Sequence, residues 1–274
     1  MRARIGLLSV ALATVAATGV SADPLDDLVD AIARFRGLGD ESVSSYRVEM
    51  RVPDETEEVA PLVETWEAPA RLGIRAAHAS TPAAVVRGLA VFLEPLFVTR
   101  SSIYSIDLDS GRDVVRREGQ VSVAELANGL RAIRVVLPEN SANLPEMLTD
   151  LVEVGATLDG EQRLVDLTVG LRTNGTPQTM TVHCDWQPRQ PQPGHATWVL
   201  PNGQEVGIET EFREESGRLV PASRHVTFPS RYDPGDTESI RVEYGNYEID
   251  PEIPDEFWSE RGTLRFDTNG LVTN

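Results

Sequence analysis

The residues that could bind a metal or transfer a proton are scattered along this chain rather than grouped in a motif. The four histidines are His78, His183, His195 and His225, and no two of them have the spacing of a zinc-binding pair. His183 and His225 fall in predicted strands and could meet across a sheet, as any two strand residues could. The sequence has no glycine-rich phosphate loop, no His-Glu-x-x-His and no Gly-x-Ser-x-Gly. It therefore predicts no catalytic site, no metal and no cofactor.

Cys184 is the only cysteine of the sequence, so an intramolecular disulfide cannot form. It lies in the segment Met180–Trp186, in which every second residue is apolar. This alternation predicts a strand with one buried face, on which Cys184 acts as a small hydrophobic residue. A reactive thiol is the alternative interpretation.

The densest late group of carboxylates consists of Asp250, Glu252, Asp255 and Glu256, interrupted by prolines. Calcium binding requires several oxygens that converge on one ion from a suitably shaped loop. The group lacks the spacing of an EF-hand, so a solvated acidic loop is predicted instead.

The chain carries a strong negative charge that restricts its partners. It has 43 acidic residues and 25 arginines, for a formal net charge of −18. A field of this sign repels nucleic-acid phosphates and anionic lipid surfaces, so neither is expected as a direct partner.

The first 22 residues have the features of a cleavable export signal. Arg2 and Arg4 precede an apolar run from Ile5 to Ala17 that is too short to span a bilayer, and Val20-Ser21-Ala22 is a pattern that signal peptidase recognises. No cysteine near this junction could be lipidated. We therefore expect cleavage after Ala22 and one mature domain of residues 23–274, periplasmic or secreted, without a membrane anchor and monomeric.

The mature chain begins with a predicted helix and continues in strands. Asp23 can cap the helix, Pro24 fits its first turn and Gly37 can end it. From Tyr46 to Val52, apolar and polar residues alternate, which predicts a strand with one buried face. A hairpin is predicted over residues 62–75.

Two helical insertions are predicted before a second group of strands. The first covers about residues 81–98, because Thr81-Pro82 can start a helix and the residues that follow are almost entirely apolar. A buried helix and an apolar lid both fit this pattern. The second covers about residues 122–155, because Ser122-Val123-Ala124-Glu125 matches a capping box and Pro145 can start a further helix.

The chain from Arg163 onward predicts a meander of antiparallel hairpins. Alternating apolar residues are separated by turn signals at Asn174-Gly175, Pro201-Asn202-Gly203-Gln204 and Ser216-Gly217. Strands do not alternate with helices here, which excludes a parallel dinucleotide-binding sheet.

Four segments match one family pattern in order. The last predicted strand contains Tyr244-Gly245-Asn246-Tyr247 and is followed by Ile253-Pro254-Asp255-Glu256-Phe257. Upstream, Trp66–Leu72 contains a tryptophan followed by a proline turn, and Asn143–Leu148 would begin a helix at its proline. Together these segments resemble the periplasmic outer-membrane lipoprotein-sorting (LolA-like) superfamily, of which the chain would be a divergent member. The carriers of that family have an arginine before the proline of the turn, where this chain has Ala68.

The resemblance implies an α+β fold, a curved antiparallel β half-barrel with helices covering its concave face. It implies a non-catalytic periplasmic protein that binds a lipid or a lipoprotein acyl chain in an apolar cavity for transport within the envelope, together with an envelope protein partner. An envelope regulatory or stress-sensor interaction module without bound lipid is the alternative. A hydrolase that uses carboxylates such as Asp185 or Glu209 is a third hypothesis.

The expected ligand contacts lie on the first strands and on the predicted helices, although ordinary core positions would show the same apolar pattern. They are Tyr46, Val48, Met50, Trp66, Phe92, Leu96, Phe97, Leu148 and Val152.

Overall fold

The computed structural model describes most of the chain after its first 22 residues. The described residues are 23–38, 43–53, 61–68, 71–78, 80–81, 93, 95–96, 108, 111–138, 150–173, 175–230, 235–259, 263–267 and 270–273. The predicted export signal, the 139–149 segment and most of the 81–98 segment therefore lie outside the described residues.

Strands dominate the described part of the chain. The strands are β1 (Ser45–Arg51), β2 (Leu62–Glu67), β3 (Arg71–Ala76), β4 (Gln120–Glu125), β5 (Arg131–Val136), β6 (Leu151–Leu158), β7 (Leu164–Thr173), β8 (Thr176–Asp185), β9 (His195–Val199), β10 (Glu205–Glu215), β11 (Arg218–Pro229), β12 (Thr237–Ile249), β13 (Leu264–Asp267) and β14 (Gly270–Thr273). The helices are α1 (Pro24–Arg36), α2 (Arg112–Glu118) and α3 (Asp255–Ser259), and a single 3₁₀ turn covers Ala127–Gly129.

All fourteen strands belong to one antiparallel sheet, which confirms the predicted strand arrangement of the second half of the chain. The order is β14-β13-β3-β2-β1-β12-β11-β10-β9-β8-β7-β6-β5-β4. Strands β4 to β12 follow one another as a meander, and β1 then pairs with β12. This pairing joins the beginning and the end of the domain. The sheet stays open, with β14 and β4 at its two edges.

Helix α1 has the ends that the sequence predicts. The Asp23 carboxylate accepts a hydrogen bond from the backbone N–H of Leu25 at 3.0 Å, and the N–H of Gly37 bonds to the carbonyl of Ala33. Its apolar stripe, which includes Leu25 and Leu28, is buried against the sheet near β4, β5 and β7. Among the described residues, no helix combines the length and apolar character needed to cross a bilayer.

Helices α1 and α3 pack on opposite faces of the sheet. Arg71, Gly73 and Arg75 share one face of β3, and α3 packs there: an added Cβ at Gly73 would lie 2.8 Å from Phe257 Cε1. Leu72 and Ile74 point to the other face and are fully buried in the core that includes α1. Helix α3 therefore does not share the face that α1 covers.

The prediction of a helix that begins at Ser122 is wrong. Residues 120–136 form the hairpin β4–β5, in which Ser122 pairs with Arg134 and the turn places Asn128 and Gly129 at positive φ. A capping box is a local signal, and here the pairing of β5 with both β4 and β6 overrides it. The helical insertion was predicted to extend to about residue 155. Its last residues are in a strand instead, because residues 151–158 form β6.

Candidate functional site

A cleft lies between the C-terminal end of α1 and the strands β9, β10 and β11. Its apolar walls come from Phe35, Leu96, Ala196, Trp198 and Ile208. The cavity is narrow, with a volume of about 50 Å³. A space of this size holds a few water molecules or the end of an apolar chain.

Aromatic side chains form one wall of the cleft. The rings of Phe35 and Trp198 meet edge to face, with centroids 6.1 Å apart. Trp198 is buried, and its Nε1 has no hydrogen-bond acceptor among the described residues. A buried N–H without an acceptor costs about 1–3 kcal/mol. This donor is therefore a group that a bound oxygen atom could satisfy.

Polar side chains also line the cleft. The Gln192 amide donates a hydrogen bond to the carbonyl of Gly37, and its Oε1 accepts one from Arg224 Nη2 at 3.0 Å. Arg224 also donates to the hydroxyl of Tyr244 at 3.2 Å and lies over its ring. These contacts fix the direction of the Arg224 guanidinium at the cleft.

Arg36 brings a second cation to the same cleft. It is the last residue of α1 and only 6% exposed, while Arg224 is 7% exposed. Both side chains line the cleft together with Gln192 and Thr210. Both guanidinium groups also interact with other groups of the protein, as expected because a buried charge is costly unless it is compensated.

Of the nine predicted contact residues, Leu96 lines the cleft. Tyr46, Val48, Met50 and Trp66 are buried in β1 and β2, away from the lining, and Val152 is half-buried in β6. Phe92, Phe97 and Leu148 lie outside the described residues. The cleft is lined by the last residues of α1 and by strands β9–β11, and the ligand contacts on β1, β2 and β6 stay predictions.

The strand residues Tyr46 and Trp66 form a cluster behind the end of α1. Their rings stack with centroids 5.6 Å apart, and the Tyr46 hydroxyl donates to the buried Glu64 carboxylate at 2.7 Å. An added Cβ at Gly37 would lie 3.2 Å from Trp66 Cη2, so this ring supports the C-terminal end of α1. The cluster positions the helix that covers the cleft.

Sequence analysis did not identify the polar and charged residues that line the cleft. Gln192 lies in a Pro- and Gln-rich stretch that is typical of an exposed loop, and Arg36 lies in the last turn of a helix, where a cation is expected simply because it interacts favourably with the helix dipole. Arg224 does carry a signal. It lies on β11 between Ser223 and His225, at a position where the alternation places an inward-facing residue.

Three of the histidines lie on the outer face of the sheet. His183 Nδ1 is 2.6 Å from Asp166 Oδ1, His195 bonds to Thr197, and His225 Nδ1 is 3.9 Å from Glu209 Oε2. Strands β9 and β10 separate His183 on β8 from His225 on β11, so the two do not pair. Within the described ranges, no three His, Cys, Asp or Glu side chains converge as metal ligands would.

Cys184 lies on the buried face of β8, as its alternation predicts. Burial raises the pKa of the Cys184 thiol, and the nearby carboxylates of Asp166 and Asp185 raise it further. The thiolate is the reactive form of cysteine. The side chain therefore stays an unreactive thiol and belongs to the core.

The predicted acidic loop contains a structural clamp. Asp250 Oδ1 accepts hydrogen bonds from Ser44 N at 2.6 Å, Ser44 Oγ at 2.9 Å and Ser45 N at 3.2 Å. These bonds, chiefly that from the Ser44 backbone, hold the pKa of Asp250 below its usual range. The carboxylate ties the end of β12 to the beginning of β1.

Comparison with known proteins gives two structural matches at low identity. The sequence matches no protein-family model, and no curated protein matches it significantly. A LolA superfamily protein from Nitrosomonas europaea is 8% identical, with 88% of this chain and 99% of that chain covered and a TM-score of 0.36. An outer membrane lipoprotein-sorting protein domain from Vibrio parahaemolyticus is 7% identical, with 83% and 94% covered and a TM-score of 0.29.

The first description names the LolA superfamily, and the second names lipoprotein sorting. At TM-scores this low, the overlap is too loose to transfer the role of any residue from either protein to this chain.

Proposed function

We propose that this protein is a non-catalytic carrier that binds a lipid or a lipoprotein acyl chain in the cleft between α1 and the sheet. The observation that carries the proposal is the cleft itself, which is lined mainly by apolar side chains together with the buried polar residues Gln192 and Arg224. Burial of one methylene group contributes about 0.8 kcal/mol. A chain of several methylenes can therefore be held by apolar contact alone.

The contacts of α1 support a half-barrel. Phe35 touches Trp198 on β9, whereas Gly37, two residues later, lies against Trp66 on β2. These strands are five positions apart in the sheet, about 24 Å if the sheet were flat. Because strand side chains stand nearly perpendicular to the sheet, we infer that the sheet curls around the end of α1.

A ligand larger than the present cavity needs the cleft to widen, and the contacts of α1 suggest how. Its N-terminal end is held by ion pairs, from Asp26 to Arg112 at 2.7 Å and from Asp27 to Arg131 at 2.5 Å. Its C-terminal end rests on the Phe35–Trp198 contact and on the bond from Gln192 to Gly37. We propose that the C-terminal end lifts while the N-terminal end stays fixed.

The proposed setting is the bacterial envelope. Residues 1–22 would act as a cleaved export signal and residues 23–274 as one monomeric domain, which would carry its ligand between membranes and deliver it to an envelope protein partner. The proposed contact set keeps Leu96 and adds the end of α1. The other eight predicted positions form its supporting core or await a test by substitution.

An interaction module without lipid is the second candidate. The small cavity volume favours it, because about 50 Å³ does not hold a whole acyl chain without movement. In that case the cleft would be a packing defect at the end of α1, and the function would belong to the surface.

Mass spectrometry of organic extracts tests the proposal, using protein purified gently from its host after expression of the full chain. We expect a co-purifying lipid or lipopeptide near one equivalent per protein. Thr210→Trp, which fills the cleft from β10, should remove both this lipid and the binding of a fluorescent fatty acid.

Thr197→Trp is the matched control. It makes the same change on β9, on the face of the sheet opposite to the buried Ala196 and Trp198, and it should keep the lipid. Unaltered protein that carries no lipid and does not bind the fluorescent fatty acid would contradict the carrier function and favour the interaction module.

A further inference from the structure

We propose that a groove on the outer face of the sheet binds a neutral glycan through the hydroxyl and carboxylate groups that line it. The outer face lies opposite to the face that forms the cleft, because residues such as His195 and Thr197 alternate along β9 with the buried Ala196 and Trp198. This second site is independent of the proposed carrier function.

The groove lies over strands β9 to β12. Its volume is about 560 Å³, which falls within the range of about 300–1,000 Å³ that is typical of ligand pockets. Its floor is Gly207 on β10, which pairs with Thr197 of β9 on one side and with Thr227 of β11 on the other. The lining is therefore built from neighbouring strands of a rigid sheet.

Gly207 gives the groove its depth. An added Cβ at this position would lie 2.6 Å from Thr227 Oγ1. The pairing of β10 with β9 and with β11 is regular around Gly207, so this glycine does not belong to a bulge. A glycine inside a regular strand often marks a place where a ligand approaches the backbone closely. The floor of the groove thus leaves the backbone open to a flat ligand such as a sugar ring.

Four polar side chains of the lining have no hydrogen-bond or ion-pair partner among the described residues. They are Glu205, Thr227, Asp236 and Thr237. The two threonine hydroxyls can donate and accept hydrogen bonds, whereas the two carboxylates accept them. A hydrogen bond to a charged group is about twice as strong as one between neutral groups. This mixture of donors and charged acceptors fits the hydroxyl groups of a sugar, each of which both donates and accepts.

Polar side chains elsewhere on the outer face bind one another. His183 Nδ1 is 2.6 Å from Asp166 Oδ1, and the Glu211 carboxylate accepts hydrogen bonds from Ser223 and from Arg241. These groups are satisfied within the protein. The four polar groups at the groove are instead left for water or for a ligand.

The charges at the groove disfavour an anionic ligand. Glu205 and Asp236 are acidic, no arginine occurs among the described lining residues, and the whole chain has a net charge of −18. These charges repel an anionic sugar but not a neutral one. A small polycation would use the two carboxylates and leave the threonine hydroxyls without a role. A neutral glycan therefore fits the lining as a whole.

A second hollow continues the groove along the same strands. Its volume is about 320 Å³, and its lining includes Glu209 and His225, which pair with each other across β10 and β11. From Glu205 in the first hollow to Glu211 in the second, β10 spans about 20 Å. The site is therefore elongated, which suits an oligosaccharide better than a single sugar.

NMR titration of the ¹⁵N-labelled protein tests the glycan site. The ligands are cellotriose, maltotriose and chitotriose as neutral trisaccharides, trigalacturonate as an anionic one, and spermidine as a cation. We expect at least one neutral trisaccharide to bind and to shift the amide signals of Gly207, Thr227 and Thr237, with no shifts on β5 and β6. Trigalacturonate and spermidine should bind about fivefold more weakly or less.

Two variants locate the binding. Gly207→Ala, whose added Cβ would meet Thr227 Oγ1, should abolish it, and Glu205→Gln should weaken it about fivefold because a charged acceptor is lost. Gly245→Ala on β12, where an added Cβ would meet nothing within 4 Å, and Glu214→Gln, at an exposed carboxyl further along β10, are the matched controls and should leave it unchanged. If Gly207→Ala fails to fold by circular dichroism, Glu205→Gln and the ligand comparison still decide.

The outcomes separate this site from the cleft. Binding of none of the three neutral trisaccharides would overturn the glycan site, and so would amide shifts confined to residues outside the groove. Affinity for trigalacturonate or spermidine equal to that for the best neutral trisaccharide would overturn the assignment of a neutral glycan. Gly207→Ala should bind the fluorescent fatty acid as the unaltered protein does, so the failure of one site leaves the other testable.

Discussion

At the scale of single residues, the polar chemistry of this chain has mostly structural roles. The Tyr46 hydroxyl donates a hydrogen bond to the buried Glu64 carboxylate, and Asp250 clamps the backbone of Ser44. Cys184 is a core residue, and burial holds it as a neutral thiol. Arg36 and Arg224 are buried at the cleft, where Arg224 bonds to Gln192 and Tyr244.

Cys184 should be unreactive in the folded protein. Because burial raises the pKa of its thiol, we expect no reaction with the thiol reagent DTNB over hours at pH 8 in native buffer. In guanidinium chloride, one equivalent should react within minutes. Rapid reaction of the native protein at pH 8 would instead indicate that β8 opens locally or that the thiol is activated.

At the scale of elements, each helix is positioned by particular side chains of the sheet. The end of α1 rests against Trp66 and Trp198, and its beginning is tied to α2 through Asp26 and Arg112. Helix α3 is only five residues long, yet it buries Phe257 and Trp258 on β3. The rings lie edge to face beside Gly73, with Arg75 over the ring of Phe257. Helix α3 can therefore pack closely on β3 because Gly73 has no side chain.

Substitution of Gly73 tests how α3 packs. Gly73→Ala would place a Cβ 2.8 Å from Phe257 Cε1 and 3.0 Å from Trp258 Cζ3, and overpacking of this kind costs about 1–3 kcal/mol. Thermal unfolding followed by circular dichroism should show a Tm lower by several degrees.

Gly155→Ala on β6 is the control for this substitution. Its added Cβ would meet nothing closer than Thr168 Cβ at 3.8 Å, so we expect little change in Tm. Equal Tm values for the two variants would mean that α3 adjusts without cost and that its packing on β3 contributes little.

At the scale of the whole molecule, the fold depends on contacts between distant parts of the chain. Strand β1 pairs with β12, and the clamp at Asp250 holds the same junction. The carboxyl of Asp23, the N-cap residue of α1, accepts a hydrogen bond from Arg116 of α2 at 2.7 Å, and that of Glu211 on β10 accepts one from Ser223 of β11. The pKa of each of these three carboxyls is lowered, chiefly by hydrogen bonds to the ionised form.

These lowered pKa values predict loss of stability in acid. A carboxyl whose pKa is lower in the folded than in the unfolded protein stabilises the fold above its unfolded pKa of about 4, and this contribution is lost as the pH falls through the folded value. Between pH 7 and pH 5 the three groups are ionised in both states and contribute no pH dependence. We therefore expect the urea midpoint to fall below pH 4.

Asp250→Ala should flatten this acid dependence, because it removes one of the three groups. Glu205→Gln, which changes an exposed carboxyl on β10, should leave the slope unchanged. An Asp250→Ala variant with the same slope below pH 4 as the unaltered protein would contradict a role for the clamp in acid sensitivity.

The sequence alone determined the elements whose signals are local and repeated. The capped helix α1, the first strands and the hairpins from β7 to β12 follow from alternation, from turn residues such as Asn202-Gly203 and from a cap at Asp23. Periodicity fixes which side of an element is apolar, because side chains alternate in a strand and recur every 3.6 residues in a helix. It also identified Cys184 as a core residue.

The tertiary structure alone decided what periodicity cannot encode. The capping box at Ser122 gave way to the β4–β5 hairpin because cross-strand pairing outweighs a single local cap. The cleft could not be predicted, because it joins Arg36, Gln192 and Arg224, which lie up to 188 positions apart in the chain and meet only when the end of α1 lies over β9 to β11. A binding site depends on which residues are close in space, whereas a sequence pattern shows only which residues are close along the chain.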